Sequence, residues 1–433
     1  MKKKIILLSA AAILAIGMCV TVVLNYKTIR YLIPTSIKDN LPRGILTFHE
    51  DIMVPLQTII SSMRNPGYFY NVVFLPETHF APMNLKRYSI KPKDNYTDQI
   101  FGNTKTKYYL DLFEDNIFVT TVSANIFYFN DNLIEGGDEI TLNKVSSNLS
   151  DLKPDLFILD SLIEDNQIFV SGYQYDEEDG KNCKKFRIYK ANINYENIKF
   201  NEIYNNNECA FAQFMQAGRI QKYNLNSAKG ILFSMGENEI DKPNNLPQDE
   251  QSSYGKIIFL DLKNFETKIF SKGHRNPQGL VVDGNTVIST EHGPLGGDEI
   301  NNIIEGNNYG WPQASYGTYY NTAKKKYLKS HEKFGFKEPV FTFIPAIGIS
   351  EIIKIPNKFI GKKDLDNLYF VSSLNGKSLF LIKFGANNER IIFSEKIYIN
   401  QRIRDLKYIS KNNSVILALE HPPQLAILKN IRD

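Results

Sequence analysis

Residues 111–122 read DLFEDNIFVTTV, and the pattern returns at 160–173 (DSLIEDNQIFVSGY), 279–292 (GLVVDGNTVISTEH) and 405–420 (DLKYISKNNSVILALE). Each copy is an apolar run, a turn rich in Asp, Asn or Gly, and a second apolar run, which is how a β-hairpin reads. Outward from these, further runs rich in Ile, Phe, Tyr and Val recur at 185–191, 230–235, 256–261, 367–372 and 378–384. Few windows carry a helical period, so the class is all-β. Four short strands repeated radially describe a β-propeller blade, and six blades of roughly 55 residues would fill the chain from residue 101 to 433. A pair of packed sheets is the alternative arrangement of the same strands. Because a propeller gathers its site at one mouth of a central channel, functional residues are expected to be scattered along the sequence.

The 433 residues are 42% hydrophobic and 23% charged, a globular balance that excludes wholesale disorder. Lys and Arg total 51 against 47 acidic residues, with no basic stripe, which argues against a nucleic-acid partner. The three cysteines, Cys19, Cys183 and Cys209, contain no C-x-x-C spacing, so a zinc ribbon and a redox dithiol are excluded and one Cys183 to Cys209 bridge is the most that can form within the outer part of the chain. The six histidines form no H-E-x-x-H pair of a zinc hydrolase.

Three lysines precede an uncharged stretch from Ile5 to Leu24, long enough for a helix to cross a bilayer. No small-x-small cleavage site closes it, which favours an uncleaved transmembrane signal anchor over a removable signal peptide. The lysine excess before the span keeps the N-terminus inside, so the remainder is expected to face the periplasm or exterior of a single-pass inner-membrane protein, near membrane redox carriers. Residues 1–30 then form the anchor, and the proline-rich 31–100 form a stalk with one short helix near 51–63.

The stretch from Gly273 to Pro312, GHRNPQGLVVDGNTVISTEHGPLGGDEINNIIEGNNYGWP, is denser in Gly, Pro, Asn, Asp and His than two blade turns require. Arg275 offers a guanidinium fork suited to a carboxylate or quinone oxygen, and Asn276 and Gln278 add neutral donors. Gly293 and Pro294 can turn carbonyls inward, with Asp298 supplying a carboxylate, an oxygen-rich set that suits Ca²⁺. Near the C-terminus, QRIRDL spaces Arg402 and Arg404 so that both reach one anionic ligand from one face of a strand.

HRNPQGL, EHGPLGGDEIN, NYGWP and R-x-R-D, in this order, resemble the glucose/sorbosone dehydrogenase family of soluble, pyrroloquinoline quinone (PQQ)-dependent aldose sugar dehydrogenases. The resemblance implies a six-bladed propeller that binds PQQ and Ca²⁺ at one mouth and oxidises the anomeric hydroxyl of an aldose. It further implies that Arg275, Asn276, Gln278, Arg402 and Arg404 face the cofactor, and that Gly293, Pro294 and Asp298 surround the metal.

The departures from that family are specific. Its histidine base lies in an H-x-x-G-R run; here the run is MQAGRI, with Met215 in the base position, and a thioether cannot take a proton at neutral pH. Asn375 stands where a cofactor lysine is usual, and Lys377 is the nearby substitute; Ala346 replaces a hydroxyl residue that touches the cofactor. His292 and Glu237 are the remaining candidates for the base. Two functions follow: a membrane-anchored sugar dehydrogenase with a remodelled base, or a catalytically silent propeller that binds a glycan, an anionic ligand or a protein at the cell surface.

Overall fold

A computed structural model describes residues 72–75, 80, 82–93, 107–152, 156–178, 181–210, 216–237, 245–319, 327–361 and 365–430, all within one compact unit, Arg64–Asp433. The anchor expected at Ile5–Leu24 and the short helix expected near 51–63 lie outside the described residues, as do Met215 and its neighbours 211–214. Among the described residues no helix is long and apolar enough to cross a membrane.

The chain builds six four-stranded antiparallel units. Their innermost strands are Tyr108–Phe113, Leu156–Glu164, Ala217–Leu225, Pro277–Asp283, Ile349–Ile355 and Arg402–Ile409. Each touches the next and the sixth touches the first, so the ring closes as a propeller around a central channel. We number the blades 1 to 6 in that order. A buried apolar cluster fills each junction, such as Phe186, Ile231 and Phe233 between blades 2 and 3 and Leu379, Leu406 and Leu417 between blades 5 and 6. Branched and aromatic side chains on alternating positions supply these layers, and the polar turns between strands stay at the rims.

The sequence boundary at residue 101 requires correction. Strand Met83–Pro92, expected to belong to the stalk, pairs antiparallel with Gln424–Asn430 as the outermost strand of blade 6. It also pairs in parallel with Glu139–Ser147 of blade 1. Met83 and Leu85 enter the apolar layer between blades 5 and 6, while Tyr88 and Ile90 enter the layer between blades 6 and 1. The ring is thus fastened by a strand from its own N-terminal side, and Val72–Leu75 extends that edge by one more antiparallel strand. In blade 2 a disulfide joins Cys183 to Cys209 across a sequence separation of 26.

Five of the six inner strands carry a bulge near their starts, between Ile158 and Asp160, Ala217 and Ile220, Pro277 and Gly279, Ile349 and Ile352, and Ile403 and Asp405. A bulge inserts an unpaired residue and re-aims the side chains around it. Arg219, Gln278, Glu351 and Arg404 all sit in these insertions. At Gly218 the backbone has φ +110°, and a Cβ would lie 2.4 Å from the Leu159 side chain, so glycine is required immediately before Arg219.

Candidate functional site

Two polar layers occupy the channel. In the inner one, buried Arg219 reaches residues from four other blades. Its Nη1 lies 2.9 Å from Asp160 Oδ1, 2.8 Å from Glu351 Oε2 and 3.2 Å from Asp405 Oδ1. Its Nε donates to the Gln278 carbonyl at 2.6 Å and its Nη2 to the Arg404 carbonyl at 3.0 Å. Asp111, from blade 1, accepts from Ser161 at 2.6 Å and faces Lys407 at 3.5 Å. Four buried carboxylates therefore meet two cations, and burial is relieved by retained protons: Glu351 is pushed up to about 8 and Asp111 to about 7. This layer was not anticipated from the sequence. Its signal was present, since three of the four repeats quoted above begin with Asp111, Asp160 and Asp405.

The outer layer holds the expected site residues. Arg402 and Glu420 are directly opposed on neighbouring strands of blade 6, and Arg402 Nε donates to Glu420 Oε2 at 2.8 Å. Arg404 Nε donates to the other oxygen, Oε1, at 2.7 Å. Burial alone would raise the Glu420 carboxyl, but Arg404 and Arg402 hold it well below the usual carboxylate range. Arg404 Nη1 meets Gln278 Oε1 at 3.3 Å, and Gln278 Nε2 donates to Asn276 Oδ1 at 3.1 Å. Blades 6 and 4 are linked by this chain, which also includes Asn276 Oδ1 accepting the Ala217 amide at 3.0 Å.

Arg275 is buried, and its Nη1 donates to the carbonyls of His292 at 3.0 Å and Gly293 at 2.7 Å. Its Nε lies 3.6 Å from Glu237 Oε1, its guanidinium lies 5.2 Å from the Trp311 ring centre, and its Nη2 is buried without a hydrogen-bond partner among the described residues. Glu237 Oε2 accepts the Trp311 indole N–H, and the Glu237 amide donates to the Arg275 carbonyl at 2.9 Å. Glu237 is thereby committed to fixing the arginine and the indole.

Asp298, expected beside a metal, spends its oxygens on backbone: Oδ1 accepts the Gly293 amide at 3.0 Å, and Oδ2 accepts those of Ile347 and Ile349 at 2.9 and 3.0 Å. It ties the Gly293–Pro294 turn to the loop entering blade 5. Gly293 itself sits so close to the Gly297 carbonyl that a Cβ would lie 2.2 Å from it. His292 Nε2 donates to the Ile349 carbonyl at 2.5 Å, which leaves the Nδ1 lone pair, and burial pushes the imidazole below its ordinary value and keeps it neutral. Lys377 occupies a turn whose carbonyl accepts the amides of Ile399 and Asn400, both at 3.0 Å, at the entry to blade 6. Asn375 is exposed and donates its amide to the Ile347 carbonyl at 3.0 Å. The structure therefore brings Arg275, Asn276, Gln278, His292, Arg402 and Arg404 into one hydrogen-bonded constellation, with Glu237 and Asp298 as braces.

The profile of the family described as Glucose / Sorbosone dehydrogenase matches residues 112–425. The aldose sugar dehydrogenase YliI of Escherichia coli (strain K12) is 30% identical over 198 residues, 41% of this chain and 51% of that protein, so the match spans about half of the relative's length. The structure of the soluble aldose sugar dehydrogenase of Escherichia coli in its apo form superposes with TM-score 0.59 at 20% identity, covering 75% of this chain and 96% of that one. The PQQ-bound form of the aldose sugar dehydrogenase of Streptomyces coelicolor superposes with TM-score 0.53 at 17% identity, covering 72% and 90%. At these identities the superpositions establish the propeller fold.

Proposed function

Because the chain belongs to the glucose/sorbosone dehydrogenase family, we propose that it is a PQQ-dependent sugar oxidoreductase acting on the anomeric hydroxyl of an aldose. The observation that carries this reading is the Arg402–Arg404 pair at the channel, tied through Gln278 and Asn276 to the blade 4 loop that holds Arg275 and His292. The donor set fits an anionic quinone. Arg402 is 31% exposed with its terminal nitrogens unengaged by the described residues, and Arg275 keeps a buried, unpartnered Nη2. When bound, PQQ supplies a two-electron acceptor for the anomeric hydrogen, so that an aldose becomes its lactone.

The chain's own residues then divide the work. Arg402 and Arg404 hold carboxylates, and Asn276 and Gln278 fix the relative position of blades 4 and 6. His292 takes the hydroxyl proton at Nδ1, since its other nitrogen is committed to the Ile349 carbonyl. Calcium does not fit the donors expected for it. A guanidinium lies 2.7 Å from the Gly293 carbonyl oxygen, and three backbone amides occupy the Asp298 carboxylate. No step here depends on a metal.

The apolar Ile5–Leu24 stretch and its leading lysines support single-pass anchoring, with the propeller outside the inner membrane and its electrons delivered to a membrane redox carrier. The second reading, a catalytically silent propeller binding a glycan, an anionic ligand or a protein at the cell surface, is favoured by Met215 at the family's base position. Reconstitution separates them: protein lacking its first 30 or so residues is mixed with PQQ, then given aldoses and an artificial electron acceptor. Stoichiometric PQQ binding with sugar-dependent reduction supports the dehydrogenase. PQQ binding without reduction supports the silent propeller, and no PQQ binding at micromolar protein removes the quinone from both.

A further inference from the structure

We propose that Glu420 is a positioning residue whose single carboxylate aims the Arg402 and Arg404 guanidiniums at an anionic ligand in the mouth. This rests on reading those arginines as ligand-binding. Glu420 is almost wholly buried at 1% side-chain exposure, yet it remains ionised because it accepts from both Nε atoms at 2.8 and 2.7 Å. Gripped through Nε, Arg402 presents its two terminal nitrogens as a fork of the kind that pairs bidentately with a carboxylate, while Arg404 offers Nη2 beside the Nη1 that Gln278 braces.

The strand geometry explains how one carboxylate grips two arginines. Arg402 is its directly opposed cross-strand neighbour, and the bulge between Ile403 and Asp405 brings Arg404 to the same carboxylate. Without the bulge Arg404 would sit one full pleat further along the strand. On the far side, Gln278 Oε1 braces Arg404 Nη1 at 3.3 Å. Arg402, the more open of the pair, is held among the described residues by Glu420 alone, so its aim depends on that carboxylate.

A carboxylate beside two arginines is also a competing negative charge. Charge competition and positioning predict opposite signs, which makes the inference testable. If Glu420 merely neutralises the arginines, Glu420→Gln tightens anion binding; if it aims them, the same change weakens it. Trp311, the sole tryptophan, lies beside Arg275 and serves as the fluorescence reporter. PQQ and, separately, citrate are titrated into the apo-protein and into variants.

Glu420→Gln should weaken both probes by about tenfold, the loss expected when a charge-assisted bidentate contact goes out of alignment. In an Arg402→Lys/Arg404→Lys background no Nε remains to be gripped, and Glu420→Gln should no longer weaken binding. Should Glu420→Gln fail to fold, Arg402→Lys at its half-exposed site keeps the charge but loses the fork. It should still cost about fivefold. Tighter or unchanged binding in Glu420→Gln, the same weakening in the double-lysine background, or failure of wild type to bind either probe overturns the inference. Binding of citrate but not PQQ, with the expected variant pattern, overturns the quinone reading and supports the role of Glu420.

Discussion

The channel carboxylates make folding stability depend on pH in a way that one substitution should erase. Glu351 Oε2 shares the Arg219 Nη1 with Asp160 and Asp405, while Lys407 and Asp111 complete the charged surroundings and the Tyr109 ring lies against the guanidinium. Burial first, then Asp405 and Asp160, raise the Glu351 carboxyl to about 8 against the pull of Arg219. The folded protein therefore keeps this proton through neutral pH, while the unfolded chain releases it near 4.5. The stability is complete below the unfolded value and is lost as pH climbs to about 8. One pH unit of difference is worth about 1.4 kcal/mol, so the full loss is on the order of 3 to 5 kcal/mol.

Glu351→Gln removes the titration while keeping an oxygen for the Ile352 amide that Oε1 now accepts at 2.8 Å. The amide nitrogen then takes the place of Oε2 beside Arg219 Nη1, which costs that guanidinium one acceptor at every pH. Relative to wild type the variant should gain about 3 to 7 °C between pH 5 and pH 9, on top of a constant offset from the lost Arg219 acceptor, using the usual unfolding entropy per residue. Thermal unfolding of both proteins at pH 5, 7 and 9 is the assay. A wild-type stability that is flat over this range, or a Glu351→Gln shift equal at pH 5 and pH 9, would refute the proton-retaining channel.

Two further outcomes follow from the site and the closure. His292→Gln should lower turnover about 10²-fold or more while leaving the PQQ dissociation constant within about threefold, as steady-state rates and Trp311 fluorescence would show; an unaffected rate would exclude His292 as the proton acceptor. A chain beginning at residue 64 should melt like the full protein, whereas one beginning at residue 93 loses the strand Met83–Pro92 that fastens blade 6. That second variant should be insoluble or melt about 10 °C or more lower, because burial of Met83, Leu85 and Tyr88 is lost together with a full ladder.

The repeats at 111–122, 160–173, 279–292 and 405–420 made the blade hairpins legible because each carries its own period and its own turn. The closing strand was not legible. Met83–Pro92 is bracketed by prolines, and within the ring its partners are the last described strand and the fourth strand of blade 1. Nothing local distinguishes such a strand from a stalk. Pairing across more than 300 residues is decided by the ring, which supplies the apolar layers on either side of it.

The site divides along the same line between local and ring-scale information. Arg275, Asn276, Gln278, Arg402 and Arg404 were recognisable from motif spacing, but what each side chain does depends on bulges that the alternation of residues conceals. Strict pleating puts Arg402 and Arg404 on one face and Asp405 on the other. The bulge between Ile403 and Asp405 instead lets Arg404 reach Glu420 and Gln278, while Asp405 reaches Arg219 across the channel. Asp298 reads as a metal carboxylate in its motif because carboxylates near Gly-Pro turns suit calcium. Here its three amide contacts span from Gly293 to Ile349, a tie between blades 4 and 5 that neither strand shows alone. The same bulges that hide these roles from a strand-by-strand reading place one charged or amide side chain from each of blades 3 to 6 at the channel. The ring therefore holds its acidic inner layer and its arginine-lined outer layer one bulge apart, and a substitution that straightens an inner strand should disturb both.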